Sequence, residues 1–136
     1  MEYYDVDVLI PNFQNCQTPV SELGAGTTHK LKFLGSELVA KGVKCVVIHI
    51  PMRGTVLIER DGSKHIEGFD LKLVNDTATQ DAFAGALAAS CGAGDPPLEA
   101  ARFATAAGAI AQTKFGSLDA LPTKEEIIEL LQNHSD

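Results

Sequence analysis

Lys44-Cys45-Val46-Val47-Ile48-His49-Ile50 decides the class of this chain, because a β-branched, nearly unbroken apolar run of this length is what a strand buried on both faces requires. Upstream, Leu31, Leu34, Leu38 and Val39 recur at helical spacing and Gly42 lies just beyond them, which predicts an amphipathic helix with a glycine stop. Before that helix, Asp7-Val8-Leu9-Ile10 is a short apolar run ended by Pro11-Asn12, suited to a strand that delivers a polar loop. Strand, helix, strand in that order is a βαβ unit with parallel strands, so the class is α/β.

Downstream, Thr55 to Arg60 and Ser63 to Glu67 flank Asp61-Gly62, and Asp-Gly between two strand-like runs predicts a β-hairpin. From Asp81 the composition turns to Ala and Gly over two segments, about 81–91 and 98–113, separated by Gly92-Ala93-Gly94-Asp95-Pro96-Pro97. Both read as helices with small, closely packing side chains. Asp95 is expected to cap the second, with proline in its first turn. A last helix opens with the capping box Thr123-Lys124-Glu125-Glu126 and carries Ile127, Ile128, Leu130 and Leu131. No repeat, low-complexity tract or linker interrupts the chain, so residues 1–136 read as one domain.

Composition removes several functions. The 136 residues carry 11 Lys+Arg against 18 Asp+Glu, a formal net charge of −7, and no basic cluster, so nucleic acid is not expected as a partner. No apolar run approaches the ~20 residues of a membrane helix, and Met1-Glu2-Tyr3-Tyr4-Asp5 does not resemble a signal peptide. Neither a membrane nor secretion is expected, and the reading is cytoplasmic. Cys16, Cys45 and Cys91 are widely spaced and fit buried, reduced thiols better than a metal site. Gly24-Ala25-Gly26-Thr27-Thr28-His29-Lys30 lacks the spacing of a phosphate loop and reads as an ordinary loop.

The chemistry concentrates in Val74-Asn75-Asp76-Thr77-Ala78-Thr79-Gln80-Asp81-Ala82-Phe83-Ala84-Gly85-Ala86-Leu87. A strand, a short polar turn and a helix opening at an Asp would aim backbone N–H groups and the positive helix end at one spot, where an anion binds. A carboxylate there can take a proton from an attacking hydroxyl. On its own, Asp81 also reads as an ordinary helix N-cap.

This segment resembles the signature of the ribokinase-like (PfkB) carbohydrate kinases, D-T-x-G-A-G-D-x-F-x-G-A-L. Without a gap, Asn75 falls on the first Asp, Ala78-Thr79-Gln80 on Gly-Ala-Gly and Asp81 on the final Asp, and the match runs on through Phe83, Gly85, Ala86 and Leu87. Further matches are Leu98 to Ala107, similar to the adenine-side helix, Lys114-Phe115-Gly116-Ser117 to Leu121-Pro122-Thr123, Ile10-Pro11-Asn12 and Val46 to Gly54. The resemblance implies a ribokinase-like, Rossmann-like three-layer fold, present as a partial domain with parallel strands, one hairpin and a C-terminal helical cluster, equivalent to the C-terminal half of such a kinase. It implies Asp81 as the catalytic base, nucleotide contacts at Ala78, Thr79, Gln80, Thr105, Gly54 and Asn12, and Asn75 and Thr77 at a metal position. The cofactors implied are ATP with Mg²⁺ and a monovalent cation.

The departures fall on the phosphate-facing motifs. Ala78-Thr79-Gln80 puts side chains where the family has bare backbone. Asn75 and Asn15 replace carboxylates that serve cation binding, the second being the Glu of P-N-x-x-E. His49-Ile50-Pro51 replaces the family's Thr-Leu-Gly, and Pro51 lacks an N–H. Gly92-Ala93-Gly94-Asp95 spells the family's four letters but reads as a helix stop followed by a cap. His49 reads as a core or pocket-wall histidine. His29, His65 and His134 show no partner spacing, and the acidic tail reads as a solvated helix face.

Two functions stand on this footing. One is the ATP-binding half of a sugar kinase, inactive or impaired alone and completed by an N-terminal-half partner. The other is a non-catalytic, pseudokinase-like module for interaction or homo-oligomerisation, and nucleotide binding without turnover lies between them.

Overall fold

The computed structural model describes residues 6–11, 27–50 and 53–134, and it divides into two compact units, Met1–Glu67 and Gly68–Asp136. Asn12, Asn15, Cys16, Gly24, Gly26 and Pro51 lie outside the described residues.

The first unit is built as β1 (Val8–Leu9), α1 (Thr27–Ala40), β2 (Cys45–Ile50), β3 (Gly54–Glu59) and β4 (Gly62–Ile66), in a mixed sheet of order β1-β2-β3-β4. β1 runs parallel to β2, with Val8 opposite Cys45, so the βαβ expectation holds. Thr27 to Lys30, expected as part of a loop, instead open α1. That helix ends where the sequence places its stop: Gly42 takes φ +120°, and the Lys41, Gly42 and Val43 amides return to Glu37, Val39 and Leu38 carbonyls.

Alternation along the strands explains the core. Val46, Ile48 and Ile50 of β2 and Val56 and Ile58 of β3 face one way and bury against Leu31 with Leu38 and Val39 of α1. Cys45, Val47 and Leu57, pointing the other way, are also buried, as the unbroken apolar run requires. α1 comes so close to β3 that a Cβ at Gly35 would collide with Ile58 Cδ1.

The hairpin forms one residue away from its expected turn. Glu59 pairs with Gly62, so Arg60-Asp61 is the two-residue loop and Gly62 is the first residue of β4, at φ +144°. The positive φ that Asp-Gly signals is there, but the strand absorbs it.

The second unit is helical: α2 (Thr79–Gly92), α3 (Pro97–Ala111), a 3₁₀ turn at Leu118–Ala120 and α4 (Lys124–Asn133). Ala100, Ala101, Ala104, Ala106 and Ala107 are fully buried on α3, which gives the close packing that an alanine-rich helix permits. Asp95 does not cap α3. Pro96 holds the N-cap position at ψ 153° with Pro97 as the first helical residue, while Asp95 Oδ2 accepts the Ser90 hydroxyl at 2.6 Å. The capping box of α4 forms as expected, Glu126 N–H to Thr123 Oγ1 at 3.2 Å and Thr123 N–H to Glu126 Oε1 at 3.0 Å.

Candidate functional site

The site is assembled where the chain enters α2. Val74 and Asn75 amides donate to the Gln112 carbonyl at 2.7 and 3.1 Å, anchoring the approach to the end of α3. Asn75 Oδ1 accepts the Thr77 N–H at 2.8 Å, an Asx turn that reverses the chain. Thr79 N–H then donates to the Asp76 carbonyl at 3.2 Å and Ala82 N–H to Ala78 at 2.9 Å. The Gln80 and Asp81 amides between them have no backbone acceptor among the described residues, and such free donors carry the positive end of the helix.

Asn75, Thr77, Ala78, Thr79, Gln80 and Asp81 thus share one turn and the first turn of α2. Ala78, not Asp81, is the N-cap, with φ −96° and ψ 3°, a backbone that needs no glycine. Asp81 is the third residue of α2, exposed and bound to no amide as a cap. Ala78 and Thr79 are buried at 2% and 3% exposure, and Gln80 is half-buried.

Asp81 borders an apolar cleft of about 310 Å³, walled by Gly85, Phe103, Leu121, Pro122 and Ile127, with Lys124 also lining it. Neither Phe103 nor Lys124 stood among the expected site residues. Only the packing of α2, α3 and α4 brings them to Asp81, and no local pattern signals that.

The remaining candidates stand apart from this turn. Thr105 is buried in α3 and donates to the Ala101 carbonyl at 2.6 Å. Gly54 opens β3 in the first unit, buried, at φ +103°, where a side chain would strain the backbone. His49 is mostly buried on β2, and burial pushes its pKa down to about 4, so the ring is neutral at pH 7. Cys45 is buried and Cys91 half-buried, and neither is joined in a disulfide.

As a donor set for Mg²⁺ the turn is weak. Asn75 and Thr77 offer neutral oxygens, the Asn75 oxygen already accepts a hydrogen bond, and no group of three His, Cys, Asp or Glu side chains among the described residues could hold a metal ion. For an oxyanion the fit is better: two free amides at a helix N-terminus, and a buried Thr79 hydroxyl with no hydrogen-bond partner in the structure. No helix among the described residues is long and apolar enough to cross a membrane.

The mixed sheet of the first unit and the helical cluster of the second are the elements of an α/β fold. A family model described as pfkB family carbohydrate kinase matches residues 1–124, and the chain belongs to that family. Ribokinase of Haemophilus influenzae is 28% identical over 128 residues, 94% of this chain and 42% of that protein. Fructokinase-1 of Zea mays is 31% identical over 98 residues, 66% of this chain and 30% of that one. Among solved structures, ribokinase of Thermotoga maritima matches with a TM-score of 0.79 at 29% identity, over 96% of this chain and 43% of the other. A putative ribokinase II of E. coli in complex with ATP and Mg²⁺ matches with a TM-score of 0.76 at 22% identity and shares the fold. The chain spans about two fifths of the length of the ribokinases it matches, and the expected ribokinase-like partial α/β domain is the fold observed.

Proposed function

We propose that this chain is the ATP-side portion of a sugar kinase, equivalent to the C-terminal half of a ribokinase-like enzyme, with Asp81 as general base. The observation that carries the reading is the exposed Asp81 carboxylate in the same helical turn as the free Gln80 and Asp81 amides. Asp81 takes the proton of the sugar hydroxyl as that oxygen bonds to the γ-phosphorus, and the bridging oxygen departs with ADP. The amides hold the charge on the transferring group. Asn75 and Thr77 make a weak ligand pair, so Mg²⁺ would come with the nucleotide rather than be held by this turn, and would supply positive charge beside the phosphates. Structures sharing the fold support this reading: a putative ribokinase II of E. coli was solved in complex with ATP and Mg²⁺, and phosphofructokinase-2 of E. coli in complex with potassium.

Assayed alone, the chain is expected to be inactive or impaired, since it spans about two fifths of its relatives' length. The partner is the N-terminal portion of such a kinase. A second reading, a non-catalytic interaction or oligomerisation module, draws on Ala78 and Thr79, whose buried side chains stand where the family signature has Gly and Ala.

One experiment separates them. The chain is assayed with Mg·ATP and D-ribose or D-fructose, alone and with the N-terminal portion of a related ribokinase. Turnover that needs the added portion and is lost in Asp81→Asn is the expected result. Turnover that survives Asp81→Asn overturns the assignment of the base, and absence of both turnover and Mg·ATP binding leaves the non-catalytic reading standing.

A further inference from the structure

Thr79 is 3% exposed, and its Oγ1 has no hydrogen-bond partner. Burying a hydroxyl without a partner costs free energy, so native structures rarely do it unless a group from outside completes the bond. The contrast with Thr105 is direct: that buried hydroxyl donates to the Ala101 carbonyl at 2.6 Å.

Direction follows from position. Thr79 is the first residue of α2, and Cα–Cβ bonds in a helix tilt toward its N-terminus, so this side chain projects over the turn preceding the helix. That is the end at which the Gln80 and Asp81 amides lack a backbone acceptor. Threonine in a helix uses two χ1 rotamers; with no bond to break, the hydroxyl is free to turn toward an arriving acceptor. Two amides, one hydroxyl and the positive helix end then converge on one negatively charged oxygen group.

We infer that the Thr79 hydroxyl is a ligand donor to a phosphoryl oxyanion held at the N-terminus of α2. The inference rests on the nucleotide-side reading above and adds to it a side chain particular to this chain, since the family signature has alanine at this place. Where side chains replace glycine, backbone access is reduced, and a hydroxyl supplies a donor from the side chain instead.

The test is binding of inorganic pyrophosphate and of Mg·ATP to the wild-type chain, Thr79→Val and Thr79→Ser, by calorimetry, together with the melting temperature of each unliganded protein. Valine keeps the shape and removes the hydroxyl; it is expected to weaken both probes about tenfold or more while leaving the unliganded melting temperature unchanged or higher. Serine is expected to bind within about twofold of wild type, because the donor is kept. Weakening of pyrophosphate alone supports the hydroxyl as donor but counts against nucleotide as its source. Equal affinities in wild type and Thr79→Val overturn this inference alone, as does a drop of several degrees in the unliganded Thr79→Val protein, which reveals a hydroxyl already satisfied by buried water. A wild-type chain that binds neither probe overturns the nucleotide-side reading and this inference with it.

Discussion

Lys114 Nζ lies 2.7 Å from Glu126 Oε2, while the other oxygen of the same carboxylate accepts the Thr123 N–H at 3.0 Å. One side chain therefore ties the loop after α3 to the first turn of α4. The hydrogen bond from Lys114, with the Thr123 amide behind it, holds the Glu126 carboxyl below its usual pKa of 4.5. Since the folded value is depressed, the stabilisation is present above pH 4.5 and lost as pH falls through the folded pKa. Both partners are more than a third exposed, so Lys114→Met is expected to cost only about 0.5–1 kcal/mol. Urea unfolding at pH 7 and pH 3 checks this: the gap between wild type and variant should narrow at the lower pH.

His49 titrates in a higher window. Burial lowers its folded pKa from 6.5 to about 4, so between those values the unfolded chain takes up a proton that the folded chain refuses. Stability is full above pH 6.5 and declines as pH falls toward 4, by up to roughly 3 kcal/mol from this group. Unfolding free energies at pH 7.5 and 5.0 should differ in wild type, and the difference should shrink in His49→Gln. A pH-independent wild type between these points would contradict the buried neutral ring.

Glycine to alanine inside a helix ordinarily stabilises by up to about 1 kcal/mol. At Gly35 the opposite is expected, because the new methyl meets Ile58 Cδ1. Gly35→Ala should destabilise by about 1–3 kcal/mol through overpacking. Ile58→Val removes the colliding atom, so the double variant should be more stable than the two single effects predict together, a coupling that denaturation of all four proteins measures.

Asp81 carries no cap hydrogen bond, so its removal should touch chemistry far more than folding. Asp81→Asn is expected to shift stability by no more than about 0.5–1 kcal/mol, the worth of a first-turn carboxylate beside the helix dipole. In the complemented kinase it should lower kcat by about 100-fold or more. Comparable losses in thermal unfolding and in kcat would mark Asp81 as structural.

Local pattern was enough to place β2, the body of α1 and the existence of the hairpin, because each reads from residues near one another in sequence. Gly42 and Thr123 mark their helix ends for the same reason: the capping interaction is local. Where two local options compete, the pattern misleads. Asp95 looks like a cap, but Ser90 takes its carboxylate and the extended Pro96 fills the N-cap place. Gly62 looks like a turn residue, yet its pairing with Glu59 makes it the first residue of a strand. A turn and a helix start could be read at α2 from its own residues, but the strand expected before them is not formed over residues 67–76, and the Asn75–Thr77 bond and the orphan Thr79 hydroxyl could not be read at all. The cleft was hidden altogether, since Asp81, Phe103, Leu121 and Lys124 meet only through helix packing.

β4 ends the sheet among the described residues, and Gly62, Ser63, Lys64 and His65 along it are exposed. Such a strand is a poor template for a foreign backbone: glycine and serine favour no extended partner, and lysine must be stripped of water before another chain can lie alongside. His65 Nε2, 3.1 Å from the Arg53 carbonyl, also ties the hairpin to the turn that precedes β3. On the β4 side, therefore, the sheet offers little for a foreign backbone to pair with, although the neighbouring β2 and β3 are strongly apolar.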